Sequence, residues 1–184
     1  MFSFALVGIL HQTAPPKWSE PVAGLQARID IERKGNNSDS PKLITYLSFR
    51  NVTNSLGTVD VYMSVGNLVL WLENKAEKKL DMTQSGVNGR NGFVPNPFWL
   101  QFPFDSSIRM RCDLTGYFPP PTSEFVIESE SGLLSIPKGW KGEVYLAGNF
   151  IVNDPPHEAR SQRWEGKMAL PRILIFNGKK IVSD

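Results

Sequence analysis

Apolar and polar residues alternate along several short segments of the chain, and a period of two predicts β-strands with one buried face. The clearest case is LQARIDIE, residues 25–32, in which every second residue is apolar. The segment LITYLSF, residues 43–49, has apolar residues on both faces, which indicates an interior strand with Leu47 and Phe49 in the main core. The polar run NVTNS, residues 51–55, ends this strand, because Asn and Ser side chains bond to their own backbone.

The same period continues to the end of the chain. The segment FWLQF is followed by Pro103, which favours the edge of a sheet. The pair Asn177-Gly178 separates two apolar runs, which is the strongest short-range signal for a hairpin. Apolar residues hardly ever recur at helical spacing, so we expect eight to ten short strands in an all-β antiparallel sandwich. Further predicted strands are VDVYM, NLVLWLEN with KKLDM paired to it, SIRMRCDL, EFVIES and GEVYLAGNFIV.

One segment does not fit this pattern. Residues 83–97, TQSGVNGRNGFVPNP, are too rich in Gly, Asn and Pro for regular structure, so we predict one long loop there. Long loops in compact domains are either functional or disordered. The loop is therefore a candidate for recognition.

Composition narrows the classes of function. The 184 residues suit a single domain, and 41% hydrophobic and 21% charged residues are typical of a globular protein. A net charge of +2 without a concentrated basic stripe speaks against nucleic acid as a partner. A single cysteine excludes an intrachain disulfide and a zinc site with several thiolates. We expect no cofactor.

The N-terminal segment allows two interpretations. FSFALVGIL is uncharged and has the length of a signal-peptide apolar region, but no positive charge precedes it. We expect residues 1–17 to be a signal or disordered segment, with a first strand as the alternative, and residues 18–184 to form one domain. If this segment directs export, the domain lies outside the cytoplasm. If it does not, the domain is cytoplasmic. No segment is long and apolar enough to predict a membrane span.

Four segments resemble a known family: WSEPVAGLQARIDIE, LSFRNVTNS, IPKGWKGEVYLAGNF and RWEGKMALPRILI. They are similar to single immunoglobulin-like β-sandwich domains of secreted bacterial proteins. In those domains a Trp and GL open the first strand, and Asn with small residues closes the second. Intracellular-proteinase-inhibitor-like domains share the pattern of the second strand. The resemblance implies a fold and an extracytoplasmic location, but these motifs carry no chemistry.

Residues with catalytic or metal-binding chemistry are few. Asp154, His157 and Glu158 form the one cluster that offers oxygen and imidazole ligands, and a solvated loop explains them better. Cys112 lies on the inward face of an alternating strand, where cysteine behaves as a small hydrophobic residue. Glu128 and Glu130 share a strand face, as solvated carboxylates often do. We therefore predict no catalytic residues, no metal site and no enzyme activity.

Binding is the favoured class of function. We predict a non-catalytic binding or structural domain that acts through protein–protein contacts. The alternatives are a carbohydrate-binding module that uses exposed tryptophans and a protease-inhibitor-like domain, so the partner is a protein or a glycan. Trp99 and Trp140 are expected to be the exposed tryptophans, although packing at the ends of the sandwich also explains Trp140. The candidate binding residues are Arg90, Phe93, Phe98, Trp99 and Trp140.

Overall fold

The computed structural model describes residues 17–34, 42–53, 57–80, 83–84, 97–117, 125–129, 132–156 and 162–182. Within these ranges the only helical segment is a single 3-10 turn, η1 (Val65–Asn67), so the chain is all-β as predicted. The strands are β1 (Leu25–Lys34), β2 (Lys42–Asn51), β3 (Val59–Met63), β4 (Leu68–Glu73), β5 (Thr83–Gln84), β6 (Phe98–Phe102), β7 (Ser107–Tyr117), β8 (Phe125–Ser129), β9 (Gly132–Ile136), β10 (Glu143–Val152), β11 (Gln162–Arg163) and β12 (Gly166–Asn177).

The strands form three sheets. The largest has the order β1-β2-β7-β8-β9-β5, and the two smaller ones have the orders β12-β10-β4 and β11-β3-β6. All pairs are antiparallel except β11 with β3. The sandwich-like arrangement predicted from the alternation is therefore confirmed.

A cluster of aromatic rings joins the three sheets at the centre of the core. The ring centroid of Phe49 in β2 lies 4.8 Å from that of Phe150 in β10 and 5.9 Å from that of Phe102 in β6. Phe150 in turn lies 5.6 Å from Trp164. Phe49, Phe102, Phe150 and Trp164 are all buried, so each sheet contributes a large apolar side chain to the same core.

The polar end of β2 has a structural explanation. Asn51 is buried, and its Nδ2 donates to the carbonyl oxygens of Phe102 at 2.8 Å and Gly57 at 3.2 Å. Its Oδ1 accepts a hydrogen bond from the backbone N–H of Thr53 at 3.0 Å. Asn51 thus ends β2 by turning its own chain and also fastens the end of β6.

Both predicted hairpins are present. Leu80 donates its backbone N–H to Leu72 at 2.8 Å, which closes the turn after β4. At the end of β12, Val182 donates its backbone N–H to Ile175 at 3.0 Å, and Gly178 has a φ of +83° in the turn. Glycine adopts this left-handed backbone without a steric cost, which is why Asn-Gly predicted the position correctly.

Two predictions about secondary structure were wrong. The loop predicted over residues 83–97 begins two residues too early, because Thr83 and Gln84 form β5 and pair with Leu134 and Leu133. The described residues form twelve strands rather than eight to ten, since the short strands β5 and β11 and the strand β9 were not predicted. Strands of two residues carry no readable alternation, and their pairing depends on distant residues.

Candidate functional site

The structure describes three of the five candidate binding residues. Phe98 and Trp99 are the first two residues of β6, and Trp140 lies in the turn before β10. Arg90 and Phe93 lie outside the described residues, as does the remainder of the predicted loop except Thr83, Gln84 and Pro97. The site can therefore be built from β6 and from the surroundings of Trp140.

Trp140 and the β6 residues lie at opposite ends of β10. Phe98 pairs with Met63, which lies two residues before η1, and Asn67 of η1 donates its side-chain N–H to the carbonyl oxygen of Ile151 at 2.7 Å. Ile151 is close to the end of β10, whereas Trp140 precedes its beginning. From Glu143, where β10 begins, to Ile151 the strand is roughly 26 Å long at about 3.3 Å per residue. The candidate residues therefore form two separate regions, not one.

The first region is the edge strand β6. It pairs with β3 along its full length, and no described strand pairs with its other side. Phe98 has 45% of its surface exposed, and Phe104, in the turn after the strand, has 44%. On the outer face Trp99 contacts Tyr62, with ring centroids 5.1 Å apart. Phe104 and Tyr62 were not predicted as site residues. The pairing of β6 with β3 places Tyr62 beside Trp99, and the turn after β6 carries Phe104.

Most of the other described sheet edges are covered, short or charged, and the outer edge of β4 is covered only at its end. β1 and β12 lie against each other, and the end of β4 is paired through Leu80. β5 and β11 have two residues each. β6, with the sequence FWLQF, carries no charge, and Pro97 and Pro103 flank it. Natural proteins usually protect an edge strand with charges, proline or a bulge. β6 has a proline on each side but no charge among its five residues, and its outer edge is open as far as the described residues show.

The edge strand β1 illustrates the usual protection. Arg28 contacts Asp30 at 3.1 Å, and Arg109 of β7 contacts Glu32 at 2.7 Å. The hydrogen bond that Arg109 donates to Glu32 raises the pKa of Arg109, with a smaller contribution from Asp30. Ser48 adds a hydrogen bond to Asp30 at 2.8 Å. These charges bind one another across the outer face of the largest sheet, which makes this face a self-contained ionic network.

Three of the five tryptophans are engaged within the domain. Trp164 is buried and donates its indole N–H to the carbonyl oxygen of Val22 at 2.8 Å. Lys79 lies over the ring of Trp71 at 5.6 Å. The guanidinium groups of Arg28 and Arg50 both lie 4.5 Å from the ring of Trp18. These rings do not form an open platform for a sugar, so Trp99 and Trp140 remain for the carbohydrate hypothesis, which stays a prediction.

Trp140 itself is less exposed than expected. It is half-buried, and it packs against the core. Both sequence-based interpretations hold in part, because the ring belongs to the end of the sandwich and also lines a surface pocket.

In the described part of the chain, the residues with metal-binding or nucleophilic chemistry are not brought together into one site. Asp154 lies in an exposed turn, whereas His157, Glu158 and His11 lie outside the described residues. The described ranges contain no group of three side chains that could ligate a metal. Cys112 is half-buried and packs against the core from β7, on the inward side where the alternation placed it.

Comparisons with known proteins identify no relative. No family model matches the chain, and neither a curated protein nor a solved structure matches it. Within the described ranges, the structure contains no helix of the length and apolarity that crossing a membrane requires.

Proposed function

We propose that the chain is a non-catalytic binding domain, and that a strand of another protein binds it by pairing with the edge of β6. The observation that carries this proposal is the open edge of β6, which is uncharged, aromatic and five residues long. An extended segment of a partner protein can hydrogen-bond to such an edge and continue the sheet.

The surroundings of β6 define the geometry of this contact. Pro97 and Pro103 lack backbone N–H groups, so a ladder can extend over about five residues between them. Phe98 and Phe104 offer apolar anchors near the two ends, and aromatic anchors supply most of the affinity in many interfaces. The hydrogen bond from Asn51 to Phe102 holds the end of the strand in place before a partner arrives. Preorganisation of this kind lowers the entropy lost on binding.

The strand order supports an immunoglobulin-like assignment for the domain. In that fold, strands A, B and E lie side by side in one sheet, and strands C, F and G in the other. Here β1, β2 and β7 lie side by side in one sheet, as A, B and E do. The strands β4, β10 and β12 lie side by side in another sheet, as C, F and G do. We infer that β3, β6 and β11 extend this framework, with β6 as the recognition strand. Extracytoplasmic location stays a prediction from the sequence resemblance.

The proposal can be tested by capture with matched variants. Wild-type chain, immobilised through a terminal tag, is incubated with an extract of its source cell, and captured proteins are identified by mass spectrometry. The test variant is Phe98→Lys with Gln101→Lys, because lysines protect a strand edge. The control is Val69→Lys with Gln162→Lys, which adds the same charge at another exposed apolar residue and another exposed glutamine.

We expect a discrete protein to bind the wild type and the control but not the test variant. A second copy of the chain is the partner if purified wild type self-associates in sedimentation velocity and the test variant does not. Equal capture by all three chains would contradict the proposal. So would the absence of both capture and self-association in the wild type.

A further inference from the structure

A surface pocket of about 400 Å³ lies at the opposite end of the sandwich from Phe98. Two turns form it, at residues 137–142 before β10 and at residues 177–181 after β12. The turns approach closely at their glycines, since a Cβ added to Gly178 would lie 3.2 Å from the backbone nitrogen of Gly142. The Oδ1 of Asn177 accepts hydrogen bonds from the N–H groups of Lys179 and Lys180, which orders the second turn.

The floor of the pocket is apolar. Phe125, Ile136 and Ile181 are buried residues of the core, and Phe176 packs against them while remaining half-buried. Trp140 contributes its indole ring to the same wall. The volume falls within the range of about 300–1,000 Å³ that is common for small-molecule sites.

The rim of the pocket is cationic. Each turn contributes two lysines: Lys138 and Lys141 from the first, Lys179 and Lys180 from the second. None of the four forms a salt bridge with a described residue, and no carboxylate is among the described lining residues. Glu143 follows the first turn, but it contacts Lys75 at 3.6 Å and accepts the hydroxyl of Tyr145 at 2.9 Å. The positive charge of the rim is thus not balanced from within the described part of the chain.

Trp140 meets the pocket with its ring. Its indole Nε1 is buried and has no hydrogen-bond acceptor among the described residues. Because this atom has almost no accessible surface, a ligand in the pocket contacts the apolar part of the indole and not its N–H.

We propose that this lysine-rimmed pocket binds one molecule of an anionic amphiphile, with its apolar body on the aromatic floor and its anionic head among the four lysines. A small inorganic anion would leave the apolar floor in contact with water. A neutral apolar molecule would leave the lysines unbalanced. An alkyl or aryl chain that ends in a carboxylate or phosphate matches both parts of the pocket.

The shape of the pocket favours a free amphiphile over a membrane surface. The apolar side chains line a concave floor and are mostly buried, whereas insertion into a bilayer requires apolar groups that protrude. The lysines stand at the mouth, where they meet the head of a molecule already seated inside. The site is distinct from β6, so it does not depend on the protein contact proposed above.

Isothermal titration calorimetry of the full chain with sodium dodecanoate, kept below its micelle concentration, tests the proposal. Acetate serves as the head group without the chain, and dodecyltrimethylammonium as the same chain with the opposite charge. The test variant is Lys138→Glu with Lys180→Glu, which reverses one lysine on each turn. The control is Lys78→Glu with Lys167→Glu, which removes equal charge at exposed lysines outside the pocket.

We expect dodecanoate to bind the wild type and the control, with an affinity that falls as salt is added. The test variant should bind roughly tenfold more weakly or worse. Equal affinity for the cationic amphiphile, or equal affinity of the test and control variants, would overturn the proposal. Binding to phosphatidylglycerol vesicles without any binding of monomeric dodecanoate would overturn it as well.

Discussion

The two ends of β10 offer opposite chemistry to the solvent. At the end near Ile151, the edge strand β6 of another sheet presents an uncharged backbone edge with exposed phenylalanines. At the end near Glu143, two turns present four lysines around the apolar floor of the lysine-rimmed pocket. An open strand edge suits an extended polypeptide because main-chain groups are available in a row. A concave apolar site with a cationic mouth suits one molecule of an anionic amphiphile. One rigid sandwich can therefore support two kinds of recognition, separated by the length of one strand.

Removing the central ring of the core should affect both ends together and should be the largest single effect. Phe49 is fully buried and contacts Phe102 of β6 and Phe150 of β10. Phe49→Ala is expected to lower the free energy of unfolding by about 3–5 kcal/mol in urea denaturation. Phe104→Ala, at an exposed ring, is the control and should change it little. A loss below about 1 kcal/mol for Phe49→Ala would mean that the two ends do not share one core.

A methyl group midway along β10 should strain the framework without touching either site. A Cβ at Gly148 would lie 2.5 Å from Leu70 Cδ2 and 2.8 Å from the carbonyl oxygen of Val69. Because the oxygen belongs to the backbone, we expect Gly148→Ala to cost about 2–3 kcal/mol. Gly66→Ala is the matched control, since a Cβ there meets no atom within 4 Å. Equal stability of the two variants would show that β10 and β4 are packed less closely than described.

Loss of the Asn51 side chain should loosen the β6 end selectively. Asn51→Ala removes the donor to Phe102 and leaves that carbonyl without its side-chain partner. We expect a loss of about 1–2 kcal/mol in thermal or chemical unfolding. Hydrogen exchange should become faster in β6 and stay unchanged in the turn 137–142. Faster exchange in both segments would contradict the separation of the two ends.

The smallest effect concerns Tyr145, next to the lysine-rimmed pocket. Its hydrogen bond to Glu143, followed by burial, raises the pKa of the phenol. The protonated phenol is therefore favoured in the folded state. Its contribution to the free energy of unfolding is present below about pH 10 and is lost as the pH rises through the higher pKa of the folded state. Unfolding measured at pH 9 and pH 11 should show a slightly smaller alkaline loss for Tyr145→Phe than for the wild type. An equal or larger loss would indicate that Glu143 does not hold the phenol.

At neutral pH the same variant separates Glu143 from the pocket. Tyr145→Phe should leave dodecanoate binding unchanged, because Glu143 still contacts Lys75. Weaker dodecanoate binding would mean that Glu143 has turned toward the lysines of the rim.

Local patterns predicted the strands better than the sites. Alternation placed Phe49 in the core and β6 at an edge, since burial and proline act within a few residues of the chain. The pocket was not predicted. Its lysines come from turns about forty residues apart, which meet through the close approach of Gly178 to Gly142. The alternation in VDVYM puts Asp60 on a polar face, yet Asp60 is only 1% exposed, and its carbonyl oxygen accepts a hydrogen bond from the backbone N–H of Trp164 at 2.8 Å.

The most direct test of the central claim is site-specific photocrosslinking in an extract of the source cell. The crosslinker p-benzoylphenylalanine is placed at Gln101 on the β6 edge or at Lys167 on the β12 edge, two exposed positions on different sheets. The β6 position should yield a discrete protein adduct that dodecanoate does not displace, and the β12 position should yield none. Adducts at Lys167 without adducts at Gln101, or no adduct at either position, would contradict the assignment of β6 as the protein-binding edge.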